Sequence, residues 1–215
     1  TCRCYEFKTY TKKFDDEDAV RLSERQPAVV HNLETQDASF INYIVCNIEV
    51  GSGKSGFVYD VKSDGSCAIY GYRGSVDGIS TFEIPSQLDG YTVTEIGAYA
   101  FSDIFANGNT TQIVVPATVT SIGKYAFCGC SDLQTIAFAS GAQLKEVKEA
   151  AFAGCSSLST FTLPTPVTQI GLYAFGGTNI ASFRVGANMS HIDDRAFLDC
   201  SNFKNFTQVG TNPYY

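Results

Sequence analysis

Residues 115–138, VPATVTSIGKYAFCGCSDLQTIAF, contain a pattern that recurs along the chain and from which the fold is predicted. Its central phrase, Ile-Gly-x-x-Ala-Phe, occurs also at residues 96–101 and 170–175, and in weaker form at 147–152 and 192–197. The phenylalanines of these five copies are 26, 25, 23 and 22 residues apart. Such a period is typical of repeat proteins, whose single units are too small to bury their apolar residues alone. The sequence therefore predicts stacked coils around a shared core.

A short apolar alternation precedes each copy, as in Phe82-Glu83-Ile84-Pro85 and Phe161-Thr162-Leu163-Pro164. Alternation places every second side chain on the same face of a strand. Proline cannot donate a hydrogen bond to a β-ladder, so these strands are expected to end at the proline. We therefore predict short strands that stack into a parallel sheet. One helical or 3-10 turn around each Ala-Phe pair is predicted on the opposite side of the coil.

The spacing VPxxVxxIGxxAFxxCxxL, residues 115–133, resembles the BspA-like, or Treponema pallidum-type, leucine-rich repeat. The resemblance covers about residues 80–215, although the third repeat is lengthened by residues 139–142 and the fifth has Asp193 in place of glycine. It implies an α+β solenoid with the parallel sheet on its concave side and helical or 3-10 turns opposite. Proteins of this family are mostly cell-surface or secreted adhesion and interaction proteins. The resemblance thus implies an extracellular, cell-surface or periplasmic location, with a signal peptide removed.

The chain is predicted to divide into an N-terminal cap region, residues 1–79, and a solenoid, residues 80–215, of about five repeats and a partial sixth. The cap should contain a β-hairpin, because Asp64-Gly65 separates two alternating runs, residues 57–61 and 67–72. A short helix is predicted to begin at the acidic residues 15–18 and to end before Pro27. The sixth strand, near residues 203–209, has no cap. We therefore expect a truncated array or pairing with a second chain through the C-terminal edge.

Binding residues are predicted on the sheet side of the solenoid, at the alternate strand positions that point away from the core. These side chains are mostly short, polar and uncharged, which favours recognition by hydrogen bonds and close contact over electrostatic capture. A second candidate surface is the row Tyr99, Tyr125 and Tyr173 on the turn side, since tyrosine is enriched at interfaces. The predicted concave residues are Thr81, Glu83, Gln112, Val114, Thr135, Ala137, Thr160, Thr162, Ser182, Arg184, Asn205 and Thr207.

Three of the eight cysteines, Cys130, Cys155 and Cys200, follow a repeat phenylalanine by three residues. They are predicted to form a structural ladder of small, buried side chains. Cys46 and Cys67 lie on cap segments that are predicted to be neighbours. A disulfide between these two is an even alternative to free thiols if the protein is exported.

Catalytic, metal and cofactor sites are not predicted. The sequence Gly51-Ser52-Gly53-Lys54-Ser55 has Ile48 where a phosphate-binding loop needs its first glycine, and a strand follows it instead of a helix. The acidic run at residues 15–18 lacks the alternating ligands of a calcium loop. No motif ties a serine or cysteine to a histidine and an acid.

Composition and charge limit the partners. A chain with 44% hydrophobic and 17% charged residues is expected to fold. Its net charge of −7 disfavours nucleic acid, and the absence of an apolar run of about 18 residues excludes a transmembrane helix. The family resemblance implies a non-catalytic surface or secreted adhesion module, which we expect to bind a host or matrix protein, or a glycan, through the concave face. The alternative is a structural module of a larger surface protein or of a homodimer, which uses its uncapped C-terminal end or its convex face.

Overall fold

A computed structural model of the chain describes residues 56–106 and 108–208. These residues form short β-strands joined by turns, and they contain no helix. The strands in chain order are β1 Phe57–Val61, β2 Ser66–Tyr72, β3 Thr81–Glu83, β4 Gln87–Leu88, β5 Tyr91–Ile96, β6 Gln112–Val115, β7 Ser121–Ile122, β8 Thr135–Phe138, β9 Glu146–Val147, β10 Thr160–Phe161, β11 Gln169–Ile170, β12 Ser182–Val185, β13 His191–Ile192 and β14 Asn205–Gln208.

Each repeat forms one coil of a β-solenoid. We number the coils 1 to 6 by their first strands, which are β3, β6, β8, β10, β12 and β14. A second strand lies immediately before the Gly-x-x-Ala-Phe turn in coils 1 to 5, and these second strands are β5, β7, β9, β11 and β13. The coil thus has a strand on two of its sides, whereas the sequence predicted only the first of them.

The second strands form one sheet with the strands that precede them, in the order β1-β2-β5-β7-β9-β11-β13, with β4 paired to β5. Their register places the residue before the glycine position of coils 1 to 5 in one row: Ile96, Ile122, Val147, Ile170 and Ile192. The first four of these side chains are at most 1% exposed. The repeated isoleucine is therefore a core row that fixes the register of the stacked coils.

The first strands form a parallel sheet in the order β10-β8-β6-β3, as predicted, but this sheet does not continue into coil 5. Strands β12 and β14 form a separate parallel pair. Phe82, Ile113, Ile136 and Phe161 are in register and buried beneath the four-stranded sheet. Alternation along the strand thus places the apolar residues inside, as the sequence indicated.

The phenylalanines of the repeated phrase stack along the solenoid. Ring centroids of Phe101 and Phe127 are 5.2 Å apart, as are those of Phe127 and Phe152, and the planes of the latter pair differ by 1°. The stack continues from Phe152 to Phe175 at 5.4 Å and from Phe175 to Phe197 at 5.3 Å. Stacked aromatic pairs stabilise a fold beyond the burial of their area, by about 0.5–1.5 kcal/mol each.

The turns that carry these phenylalanines are not helical, so the prediction of helical or 3-10 turns was wrong, and the described residues do not support an α+β class. Tyr125 has a φ angle of +55°, in the left-handed region, which interrupts any right-handed helix. The backbone amides of successive residues then donate alternately to carbonyls of the same coil and of the next coil. The amides of Ala126 and Cys128 close turns within the coil, and those of Phe127 and Gly129 donate to coil 3. These turns therefore connect the coils instead of forming helices.

The predicted hairpin is present as the antiparallel pair β1 and β2. Its second strand pairs in parallel with β5, so the hairpin extends the second-strand sheet beyond coil 1. Phe57 and Tyr72 pack against Phe82, with ring centroids 5.9 and 4.9 Å away. The hairpin thus covers the core at this end of the coils. The predicted helix at residues 15–27 lies outside the described residues.

Candidate functional site

The predicted binding residues lie together on the outer surface of the first strands, which we call the strand face. Its first row joins Thr81, Gln112, Thr135 and Thr160, paired in register across four strands. Ser182 and Asn205 are paired with each other on β12 and β14. Because neighbouring strands are about 4.8 Å apart, this row presents hydroxyl and amide groups at a regular spacing.

The second row of the strand face lies two residues further along each strand. Glu83, Val114 and Ala137 are in register, and Arg184 is paired with Thr207. Thr162 occupies the same position in coil 4 but lies just after the end of β10. Glu83 and Arg184 are the only charged side chains in the two rows. The face is thus nearly uncharged, as the sequence predicted.

A groove of about 710 Å³ opens in the strand face between coils 3 and 4. It is an open depression of the surface and not an enclosed cavity. Coil 3 contributes β8 and the lengthened segment after it, and coil 4 contributes β10 and the proline-containing segment after it. The lining residues are Thr135, Ile136, Ala137, Phe138, Ala139, Gly141, Ala142, Gln143, Thr160, Thr162, Leu163, Pro164, Thr165 and Pro166.

Sequence reasoning identified four residues of this groove, Thr135, Ala137, Thr160 and Thr162, and missed the rest of its walls. The signals for the others were present in the four additional residues, 139–142, of the third repeat and in Pro164 and Pro166 of the fourth. Pro164 stands where coils 1 and 2 also have proline, whereas the added residues and Pro166 have no counterpart in the regular repeats. Departures from the repeat therefore marked the groove.

Each of the three ladder cysteines contacts the backbone of a phenylalanine in the stack. The thiols of Cys130 and Cys155 are fully buried, and each donates to the carbonyl oxygen of the phenylalanine in the preceding coil, at 3.1 Å. Cys200 makes the same contact with the Phe175 carbonyl at 3.0 Å but is only half-buried. Thr178 occupies this place in coil 4, and its hydroxyl lies 3.3 Å from the Cys200 sulfur. The thiol thus acts as a small hydrogen-bond donor between coils.

Cys155 is expected to resist alkylation in the folded protein. Burial raises the pKa of its thiol well above the usual value, and the neighbouring Cys130 adds to this shift. The reactive thiolate is therefore scarce at pH 8. Peptide mass spectrometry after iodoacetamide treatment should show Cys155 unmodified in buffer and fully modified in guanidinium chloride. The half-buried Cys200 is the internal control and should react first. Equal labelling of Cys155 and Cys200 in buffer would contradict the buried arrangement.

Several sequence predictions lie partly or wholly outside the described residues. Cys67 is a buried free thiol whose sulfur lies 3.7 Å from the Tyr91 carbonyl oxygen. Its suggested partner, Cys46, is not among the described residues, so the disulfide stays a prediction for the oxidised protein. The glycine-rich segment at 51–55 and the acidic run at 15–18 are likewise outside. Among the described residues, no cluster of three or more His, Cys, Asp or Glu side chains could hold a metal ion.

The predicted tyrosine row is interrupted. The rings of Tyr99 and Tyr125 stack with centroids 4.9 Å apart, but Ala150 takes the equivalent place in coil 3 and separates them from Tyr173. The Tyr125 hydroxyl donates to Glu149 at 3.3 Å. Burial, followed by the charge of Glu149, raises the pKa of Tyr125 to about 12. These contacts hold adjacent coils together, so the row is less open than the strand face.

Charged side chains are paired on the second-strand sheet. Glu95 lies 2.8 Å from the Lys62 ammonium in the hairpin turn and 3.8 Å from that of Lys148 in coil 3. Such partly exposed pairs contribute at most about 1 kcal/mol each. These pairs lie on the second-strand sheet, whereas the two rows of the strand face have only two charged side chains, Glu83 and Arg184.

With this geometry established, comparison with known proteins identifies the family. The sequence model of the BspA type leucine rich repeat region matches residues 75–204 in six copies. The chain therefore belongs to the BspA-type leucine-rich-repeat family. No curated protein matches it at the level of sequence.

Solved structures show the same fold. The leucine-rich-repeat protein of T. pallidum is 27% identical with a TM-score of 0.64, over 72% of this chain and 70% of that protein. A leucine-rich-repeat protein from Bacteroides ovatus is also 27% identical with a TM-score of 0.60, over 71% of this chain and 39% of that protein. The pneumococcal vaccine antigen PcpA, 18% identical over 73% of this chain and 48% of that protein, shares the fold with a TM-score of 0.58. In the described part of this chain, no helix is long and apolar enough to span a membrane.

Proposed function

We propose that this protein is a non-catalytic binding module that engages a protein or a glycan through the strand face, at a cell surface or outside the cell. The observation that carries the proposal is the in-register array of hydroxyl and amide side chains, together with the groove that opens in it. Solenoids use such continuous surfaces for recognition. The location is proposed from the usual place of the family.

The strand face is suited to binding because it combines rigidity with small, uncharged groups. Its backbone is held by the ladders of β3, β6, β8 and β10, and its side chains have few rotatable bonds. Ordering them on binding therefore costs little conformational entropy. A partner can approach the backbone closely over Thr135, Ala137 and Thr160.

The test is an array of extracellular matrix proteins and glycans, probed with the parent and with the triple variant Thr135→Arg, Thr160→Arg, Ser182→Arg. We expect the parent to bind a partner whose Kd rises at least about tenfold, or about 1.4 kcal/mol, in the variant. The matched control adds the same charge on the other sheet through Gln87→Arg, Gln169→Arg and His191→Arg, all exposed strand positions. It should bind as the parent does. Circular dichroism and thermal unfolding establish that each variant is folded.

The second candidate is an assembly module that pairs with a further chain. The observation that favours it is the exposure of two apolar side chains in coils 5 and 6, Leu198 at 44% and Phe206 at 55%. No binding to the array by the parent, or equal loss of binding in both triple variants, would count against the strand face. A dimer in sedimentation velocity that Phe206→Asp dissociates would then support assembly.

A further inference from the structure

The backbone ladder between coils 3 and 4 ends beside the groove. Strand β8 pairs with β6 as far as Phe138, but its pairing with β10 ends at Ile136 and Phe161. In the same register, the next carbonyl on this edge, that of Phe138, would accept a hydrogen bond from the amide of residue 164. Residue 164 is proline and has no amide hydrogen. The Phe138 carbonyl therefore has no donor at this position, as the Ile84 carbonyl has none opposite Pro116, although the ladder between coils 1 and 2 is one pair longer.

The free edge of β8 faces the groove. The amide of Ala139 donates to the Val115 carbonyl of coil 2 at 2.9 Å. Peptide groups of successive residues in a strand point to opposite sides, so those of Phe138 point towards coil 4. The Phe138 carbonyl is thus left at the groove wall as an acceptor that coil 4 does not supply with a donor.

The lining of the groove combines two kinds of group. Half-buried apolar side chains come from Phe138, Leu163 and Pro166, and hydroxyls come from Thr135, Thr160, Thr162 and Thr165. An open strand edge beside apolar side-chain sites is the arrangement by which proteins add an extended peptide to a sheet. The main chain is held by hydrogen bonds, and alternate side chains enter the apolar sites.

Charge around the groove selects the ligand further. Every lining residue is uncharged. The adjacent coil carries the exposed Arg184 at the strand position that Thr162 occupies in coil 4. The Phe161 and Phe183 rings of these two coils are 6.0 Å apart, and an arginine side chain can span such a step. A ligand that is neutral in the groove and acidic next to it would complement this distribution.

We propose that the groove binds an extended peptide segment of a partner protein, with a neutral, partly apolar stretch in the groove and a carboxylate beside it that pairs with Arg184. This assignment rests on the proposed function and names the ligand class of the same face. A backbone amide of the peptide donates to the Phe138 carbonyl. An apolar side chain packs against Phe138 and Leu163.

A glycan fits the groove less well. The lining offers a glycan four threonine hydroxyls, and the side-chain amide of Gln143 already donates one of its hydrogens to the Gly141 carbonyl at 2.8 Å. The Phe138 ring is half-buried in a T-shaped contact with Phe161 at 5.7 Å, which limits the ring area available for stacking on a sugar. The groove therefore favours a peptide.

The experiment selects a phage-displayed library of random octapeptides on the parent, followed by affinity measurement with the synthetic peptides. We expect the selected peptides to share an Asp or Glu beside an apolar, uncharged stretch. Ala137→Trp, which fills the groove, should weaken their binding at least about tenfold, whereas Thr81→Trp, on the same face in coil 1, should leave it within about twofold. Arg184→Gln should weaken the acidic peptides and leave their Asn or Gln analogues unchanged. N-methylation of the amide that faces Phe138 should abolish the main-chain contact and the binding.

Selection of no peptide, or of peptides that bind the Ala137→Trp variant as well as the parent, would overturn the proposal. The array experiment separates this failure from that of the proposed function. A protein or glycan that the triple arginine variant loses but Ala137→Trp retains would leave the strand face as the binding site and remove the peptide groove. A glycan that both variants lose would place the ligand in the groove and overturn its class.

Discussion

Phe127→Ala is expected to lower the free energy of unfolding by about 3–5 kcal/mol, the usual cost of truncating a buried aromatic ring to alanine. Phe127 is fully buried in the middle of the phenylalanine stack, with Phe101 on one side and Phe152 on the other, each 5.2 Å away. Its removal leaves a cavity that neither neighbour can fill, because the backbones of coils 1 and 3 are held by the second-strand sheet.

The measurement is urea-induced unfolding followed by circular dichroism. Phe206→Ala is the matched control, since this ring lies on β14 and is 55% exposed. It should cost well under half as much, because less apolar area leaves water on folding. A loss below about 1.5 kcal/mol for Phe127→Ala, or an equal loss for the two variants, would show that the stack is not the centre of the core.

The core of this fold could be predicted because similar apolar residues recur at equivalent positions of the repeats. Other repeats have the same or similar residues at the positions of Phe127, Ile122 and Ile136. The repeat period therefore predicted that all three side chains are buried. The alternation of the first strands placed Thr135 and Ala137 outside in the same way. Repetition thus determines which side chains are buried, and stacking then determines their register.

The turns could not be predicted in this way, since their form depends on backbone angles that the residue types do not reveal. Tyrosine at positive φ costs about 1–2 kcal/mol relative to a right-handed conformation, and local propensity therefore favours the helical turn that we expected. The structure has Tyr99, Tyr125 and Tyr173 at φ values of 55–58°. Amides such as that of Tyr125 gain hydrogen bonds to the next coil in this conformation, which offsets the local cost.

The candidate site also has one part that the repeat predicts and one part that it does not. Its polar rows follow from the repeat, whereas the groove follows from what coils 3 and 4 do not share with the others. Three of the extra residues 139–142, and Pro166, line the groove, and the pairing of β8 with β10 is one pair shorter than that of β3 with β6. The most specific part of the surface is thus the part that departs from the pattern.

Gly123→Ala is expected to lower the free energy of unfolding by about 1–3 kcal/mol, because the added methyl group has no space between coils 1 and 2. A Cβ atom at Gly123 would lie 2.7 Å from the Gly97 carbonyl carbon and 2.8 Å from the Ala98 nitrogen. The Gly123 amide donates to the Ile96 carbonyl at 2.7 Å, which holds the two backbones at this distance. Alanine must separate them and weaken that bond.

The control for this prediction is Gly186→Ala, whose added Cβ atom would lie no closer than 3.7 Å to the Thr165 oxygen. It should be neutral or stabilising by up to about 1 kcal/mol, because alanine reduces the entropy of the unfolded chain. Lys148 and Asp193 stand at the equivalent position in coils 3 and 5, so a side chain is tolerated where the coil adapts to it. If urea unfolding shows that Gly123→Ala is as stable as Gly186→Ala, coils 1 and 2 move apart to accommodate the methyl group, as coils 3 and 5 accommodate a side chain at this position. The glycine of the repeat would then reflect turn geometry and not close packing.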